Sequence, residues 1–393
     1  MNIKYFIKEK IPPKLYNFVK SIYKMKFIPY YWYPYIFMDG KAFHPFSLTL
    51  EITFRCNQNC MMCPQSTDKW KDNSRLLRNL KDLDELSSDE IKSLIDESVS
   101  LGIKNITITG GEPLLRPDTI EISRYIKSKG ITCNLLSNGT LIEEDMAREI
   151  VRSGIDKITF SLDGPKDIHE EIRRSNNSFD KLKNAVNLLK KEKVRIHSKT
   201  PYISLTCTIS ALNANRLSET IDVAKDLGLN IHYGYLFYTT KEMEDNTNKI
   251  FPIGLSKDED QNVEESLKQI DTVSLQREIN RINEKALDCG MRVSFQPPLK
   301  GRDIERRFYD DSFTYTDKCF YPWYAVRVNP YGEVYPCSMG VNMGNIRQKK
   351  LNKIWNGDEY TRFRKALKKH KLFPKCNKCC VLNDKLWSYL PRI

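Results

Sequence analysis

Cys56, Cys60 and Cys63 stand in the pattern C-x3-C-x2-C, tight enough for one short loop to wrap a single metal group. Thiolates at such spacing are ligands for iron-sulfur clusters or for zinc. A zinc site would want a fourth Cys or His nearby, and the next histidine in the chain is His169. Three thiolates on a four-iron cluster leave one iron open to bind a small ligand and pass it an electron. The spacing therefore points to a 4Fe-4S reaction site, with zinc as the alternative. A second set, Cys319, Cys337, Cys376 and Cys379, makes a closed site of four thiolates, for which zinc and iron-sulfur are equal by count. A hairpin turn at Gly332, just before Cys337, is expected to fold its first two members together. Cys380 is either a substitute for Cys379 or an inert buried thiol.

Between the two sets lies Thr109-Gly110-Gly111-Glu112-Pro113. Two glycines let the backbone approach a ligand closely, and Glu112 can accept hydrogen bonds from an amino group. Taken alone this is a tight turn. His169 and Arg173 follow at four-residue spacing, where a guanidinium fork would suit a carboxylate. Arg174 competes for that role, solvated charges are the bland reading of both, and His169 reads as structural.

Strand-like runs must position these groups: Ser47 to Thr53, Asn105 to Thr109, Thr132 to Leu136, Lys157 to Leu162, Ile203 to Ile209 and Asn230 to Leu236. Helix-like stretches alternate with them: Ser88 to Leu101, Thr119 to Lys129, Glu143 to Ser153, Phe179 to Lys191 and Asn215 to Leu227. Six such units predict an α/β fold, a partial (β/α)6 TIM-like barrel with a small C-terminal iron-sulfur domain. Its chemistry belongs on loops at the carboxyl ends of the strands, where every motif above falls. The expected divisions are a basic aromatic extension over 1–45, the barrel over 46–238, a helical connector over 239–294 and the metal-organised domain over 295–393. Within the connector, Lys241 to Asn248 reads as a loop and Val263 to Leu287 as one or two helices.

Composition sets the outer bounds. At 393 residues, 40% hydrophobic and 29% charged, this is the chemistry of a globular protein, and no apolar run could span a bilayer. Eleven cysteines that include two tight groups, with no cleavable signal peptide before them, imply metal ligands in a reducing, cytoplasmic compartment. The net charge of +13 is spread along the chain without a stacking-aromatic signature, so nucleic acid is not the expected partner. Residues 1 to 26 carry seven Lys against one Glu, and residues 27 to 38 hold seven aromatic residues in twelve. A basic amphipathic helix followed by an aromatic belt fits a peripheral membrane contact through residues 1–38; packing on the protein's own barrel is the plainer alternative.

The chain resembles the radical S-adenosylmethionine (SAM) superfamily over about residues 47 to 237. The resemblance rests on Cys56/Cys60/Cys63, Gly110-Gly111-Glu112-Pro113, Ser137-Asn138-Gly139-Thr140 and Ser161-Leu162-Asp163-Gly164. It implies that the open iron holds SAM, whose reductive cleavage yields a 5′-deoxyadenosyl radical that takes hydrogen from substrate, with a flavodoxin- or ferredoxin-type electron donor. By the same resemblance Gly110, Gly111 and Glu112 line the methionine amino group, Ser137 and Asn138 the ribose, the backbone around Met62 the adenine, and Arg173 the carboxylate. The C-terminal cysteines resemble the SPASM and Twitch auxiliary-cluster extensions, and their number fits the shorter Twitch type with one further 4Fe-4S cluster. Such a cluster implies two-electron oxidation, and the roughly fifty residues before the first strand, too few for a peptide-recognition domain, point to a sugar, cyclitol or lipid-linked substrate. Epimerisation or peptide maturation is the alternative, with Cys133 or Cys207 as hydrogen-atom donor, although both sit in apolar runs where buried free Cys is ordinary and Cys289 is also left over. A redox-sensing or metal-stabilised binding module is the reading of another class.

Overall fold

The computed structural model describes residues 28–63, 84–252 and 269–382. The basic stretch 1–26 lies outside them. The six expected strands are present as Ser47–Glu51 (β1), Asn105–Thr109 (β2), Thr132–Ser137 (β3), Lys157–Ser161 (β4), Tyr202–Ile209 (β5) and Ile231–Tyr235 (β6). The accompanying helices are Ile28–Phe37 (α1), Ser88–Ser100 (α2), Thr119–Ser128 (α3), Glu144–Arg152 (α4), Lys166–Arg173 (α5), Ser178–Arg195 (α6) and Glu219–Asp226 (α7). Local chemistry sets several boundaries. At α2, Ser87 accepts from the Glu90 N–H while Glu90 reaches back to the Ser87 N–H, a reciprocal cap worth about 1 kcal/mol.

The sheet is larger than six strands. Val293–Gln296 (β7), Ala325–Val328 (β8) and Val334–Tyr335 (β9) join it, giving nine strands in the order β7-β6-β5-β4-β3-β2-β1-β8-β9. β8 pairs in parallel with β1, Thr49 facing Arg327, and β9 returns antiparallel beside β8. The C-terminal cysteine region is thereby built onto the edge of the same sheet. The sheet is open, a partial barrel with the C-terminal cysteine region at one end.

Strand alternation divides the sheet into two faces. Leu48, Leu50, Ile106, Ile108, Leu135, Ile158, Phe160 and Leu205 are almost wholly buried beneath the helices. Burial of each such side chain contributes about 1.5–3 kcal/mol before chain entropy is counted. Their neighbours Thr49, Glu51, Thr107, Thr109, Asn134, Thr159 and Thr206 are only half-buried and form the inner face.

The connector differs from the sequence expectation. Lys241–Ile250 is a helix (α8), not a loop: Thr240 caps it through the Met243 N–H, and Met243 and Thr247 are buried. Its polar composition hid this, because tertiary contacts hold it: the Thr247 hydroxyl accepts from the Lys375 N–H, and Lys375 Nζ lies 3.4 Å from Glu244. Of the helical stretch expected over Val263 to Leu287, residues 263–268 lie outside those described, and Thr272–Asp288 is a helix (α9) capped by Asp271. Arg302–Tyr309 (α10), Tyr321–Tyr324 (α11), Leu351–Trp355 (α12) and Asp358–Lys369 (α13) complete the elements used below.

Candidate SAM and iron-sulfur sites

The loop after β1 carries the first cysteines, and backbone pairing fixes its course. The N–H groups of Gly111 and Glu112 donate to the carbonyls of Thr53 and Arg55, each at 2.8 Å. The glycines are needed for that approach: a Cβ on Gly110 would fall 2.1 Å from the Thr53 oxygen, and one on Gly111 2.3 Å from that of Arg55. Gly110 also has φ near +144°. The close backbone approach that these glycines permit is, here, to the cysteine loop.

Glu112 is fully buried and both of its carboxylate oxygens are engaged. Oε1 accepts from the Leu114 N–H and the Ser137 hydroxyl, and Oε2 from the Asn138 N–H at 2.7 Å. Burial pushes its pKa up while these donors pull it down. Asn138 in turn donates to Asn57, whose amide donates to Thr140. The Gly-Gly-Glu turn, the Ser137–Thr140 loop and the cysteine loop are thus one hydrogen-bonded unit. Asn57 was not singled out in the sequence; its place inside the C-x3-C segment was the available signal.

Arg173, at the last turn of α5, forms a buried ion pair with Asp163 at 2.5 Å and brings Nη1 to 3.7 Å from Cys60 Sγ. Burial opposes its charge, yet Asp163 and the thiols hold its pKa up. Burial pushes Cys60 up to about 11 against the pull of Arg173. Cys56 and Cys63 lie near enough to act on Cys60 electrostatically. Met61 N–H donates to the Ile172 carbonyl and ties the loop to α5; Met62 is half-buried beside it. His169 is buried, its Nδ1 accepting from the Asp163 N–H.

The β8–β9 hairpin turns at Gly332, with φ near +83°, and brings Cys337 back toward Cys319. Cys376 and Cys379 arrive from the last described turn, and all of the four except Cys337 are nearly inaccessible. Cys379 feels Cys376, Cys319 and Cys337, so the quartet is gathered in space. Among the described residues no three donors close to the spacing of one ion. Four thiolates are a donor set that either a 4Fe-4S cluster or a zinc ion would accept. The charges that act on Cys380 are those of Arg307 and Arg327. Cys133 and Cys207 are both fully buried on the helix-facing side, Cys133 bonded to Ser123 and Cys207 to Asn213.

Comparison with known proteins agrees with this geometry. The radical SAM superfamily model matches residues 50–206, and an iron-sulfur cluster-binding domain of the SPASM type matches residues 319–380. An AdoMet-dependent heme synthase of Methanosarcina barkeri is 26% identical over 340 residues, covering 85% of this chain and 88% of that protein. A probable GTP 3′,8-cyclase of Methanococcus maripaludis is 26% identical over 263 residues, covering 66% and 78%. Among solved structures, Streptococcus suis SuiB bound to S-adenosylmethionine is similar in fold, with TM-score 0.59, 14% identity and coverage of 83% of this chain and 69% of that one. So is anSMEcpe with bound AdoMet, with TM-score 0.57, 18% identity and coverage of 81% and 82%. With the two domain models matched in chain order onto the two sets of thiols, the chain belongs to the radical SAM superfamily, with a C-terminal SPASM-type iron-sulfur domain, and takes SAM and 4Fe-4S clusters as cofactors.

Proposed function

We propose that this radical SAM enzyme oxidises a hydroxyl-rich substrate, a sugar, cyclitol or lipid-linked glycan, by two electrons. The carrying observation is the inner face of the barrel, where hydroxyl and amide side chains predominate: Thr49, Thr107, Asn134, Thr159 and Thr206. Leu136 is the one large apolar side chain that the described part of β1 to β6 leaves exposed. Several of these groups are already cross-linked, Asn134 donating to Asn105 at 2.7 Å and Thr159 lying 3.1 Å from Ser204. Hydroxyl and amide pairs can exchange such bonds for those of a polyol at little net cost.

In this reading Cys56, Cys60 and Cys63 hold the cluster that binds SAM. Glu112 keeps the Ser137–Asn138 backbone in place beside it, and Arg173 supplies positive charge at Cys60. Cofactor chemistry at this site furnishes the radical that removes a substrate hydrogen. Cys319, Cys337, Cys376 and Cys379 hold the acceptor of the second electron. Return of a hydrogen atom by Cys133 or Cys207 is disfavoured, since both thiols lie beneath helices on the far side of the sheet. A second reading, chemistry on a haem-type macrocycle, draws on the breadth of the match to the Methanosarcina barkeri heme synthase. The polar inner face speaks against a large apolar ligand.

The test is anaerobic turnover in D2O with panels of sugars, cyclitols and lipid-linked sugars, short peptides, and porphyrins. A polyol that stimulates 5′-deoxyadenosine release and emerges two mass units lighter supports the proposal. Stimulation only by peptide or porphyrin, or a product gaining one deuterium, contradicts it.

We also infer peripheral membrane contact through the N-terminal region. One side of α1 packs inward, with the Tyr35 ring 4.9 Å from that of Phe320 and 5.0 Å from that of Trp323. The other leaves Tyr33, Ile36 and Phe37 exposed beside Phe43, amphipathic groups suited to an interface that follow directly on the Lys-rich stretch. No helix among the described residues is long and apolar enough to cross a membrane. Flotation with vesicles containing anionic lipid should weaken on replacing Tyr33 and Phe37 by Ser; equal flotation would refute the contact.

A further inference from the structure

Arg327 is the one charged residue of β8, the strand Ala325–Val328, and it faces Thr49 on the inner side of the barrel. Its Nη2 lies 2.6 Å from Glu51 Oε1, at the end of β1 and five residues before Cys56. On its other side Nη1 reaches 3.4 Å from the hydroxyl of Ser338, the residue after Cys337. Tyr321, buried just after Cys319, shares hydrogen bonds with Arg327 and Thr49. The guanidinium is therefore wedged between the inner face and the C-terminal thiols, near enough for its charge to act on Cys337 and Cys380. No strand needs an arginine here to fold: Val326 and Val328 supply the buried side of β8.

We propose that Arg327 is a positioning residue for the auxiliary cluster, its charge, balanced by Glu51, setting how readily that cluster accepts an electron. This rests on the assignment of Cys319, Cys337, Cys376 and Cys379 as ligands. A cation beside thiolate-bound iron stabilises the reduced, more negative cluster, and a neighbouring carboxylate offsets it. Because the pair also lines the barrel, the charge felt at the auxiliary site is shared with whatever occupies the inner face.

The test is a redox titration of the reconstituted holoenzyme, following both clusters by electron paramagnetic resonance. In Arg327→Gln the auxiliary potential should move negative; in Glu51→Gln it should move positive; the SAM-binding cluster should hold its value in both. Arg327→Lys, which keeps the charge, should stay close to the parent protein. Opposite signs from the two neutral variants cannot come from general loosening of the fold. Unchanged auxiliary potentials, shifts of one sign in both variants, or equal movement of the two clusters would overturn the proposal while leaving the ligand assignment intact. A parent protein with a single cluster would overturn the assignment itself.

Discussion

At the scale of single residues, partner geometry decides each role. His169 illustrates this, since a lone histidine near a cysteine loop could be taken for a ligand, yet its Nδ1 is spent on the Asp163 N–H. Burial, then the neighbouring Arg173 charge, lower its pKa to about 4 against an opposing pull from Asp163. The fold therefore favours neutral histidine. Its contribution is full above the unfolded pKa near 6.5 and is lost as the pH falls toward 4. Between pH 7.5 and 5.5 the parent protein should lose about 1 kcal/mol more than His169→Asn, whose amide oxygen can accept the same bond and which does not titrate. Denaturant midpoints at the two pH values check this; parallel losses would contradict it. The cysteines were legible in the sequence because their spacing is local. Arg327 was not, although a charge at an alternating position in an otherwise apolar strand is a signal that can be read.

Among elements, the tightest constraint is the contact between the Gly-Gly-Glu turn and the cysteine loop. Gly111→Ala puts a methyl 2.3 Å from the Arg55 oxygen, so one backbone must move. The expected cost is about 2–4 kcal/mol, with loss of 5′-deoxyadenosine formation in the protein that still folds. Gly102→Ala is the control for handling: its Cβ meets nothing within 4 Å, though its φ of +77° still carries strain. Equal activity of Gly111→Ala and the parent would show that the two loops need not touch. Strands β1 to β6 were readable from period-two alternation. Helix α8 was missed because few of its residues are apolar, and part of what holds it comes from Lys375, far along the chain.

At the scale of the whole molecule, the C-terminal region is part of the sheet. β8 pairs along the edge of β1, and no local pattern encodes a pairing between strands so far apart in sequence. A truncation ending at residue 318 should expose the β1 edge and aggregate, or fail to retain the first cluster. A soluble, monomeric truncation that still cleaves SAM would show that the barrel folds alone. The central claim is that one set of thiols makes the radical and the other receives an electron. Its most direct test is iron, sulfide and 5′-deoxyadenosine measured together after anaerobic reconstitution and reduction. The parent should hold about eight irons per chain, and replacing Cys56, Cys60 and Cys63 by Ala should leave about four and abolish SAM cleavage. Replacing Cys319, Cys337, Cys376 and Cys379 should also leave about four irons, but with cleavage retained. Deoxyadenosine from the first variant, or zinc in place of iron in the parent, would contradict the account.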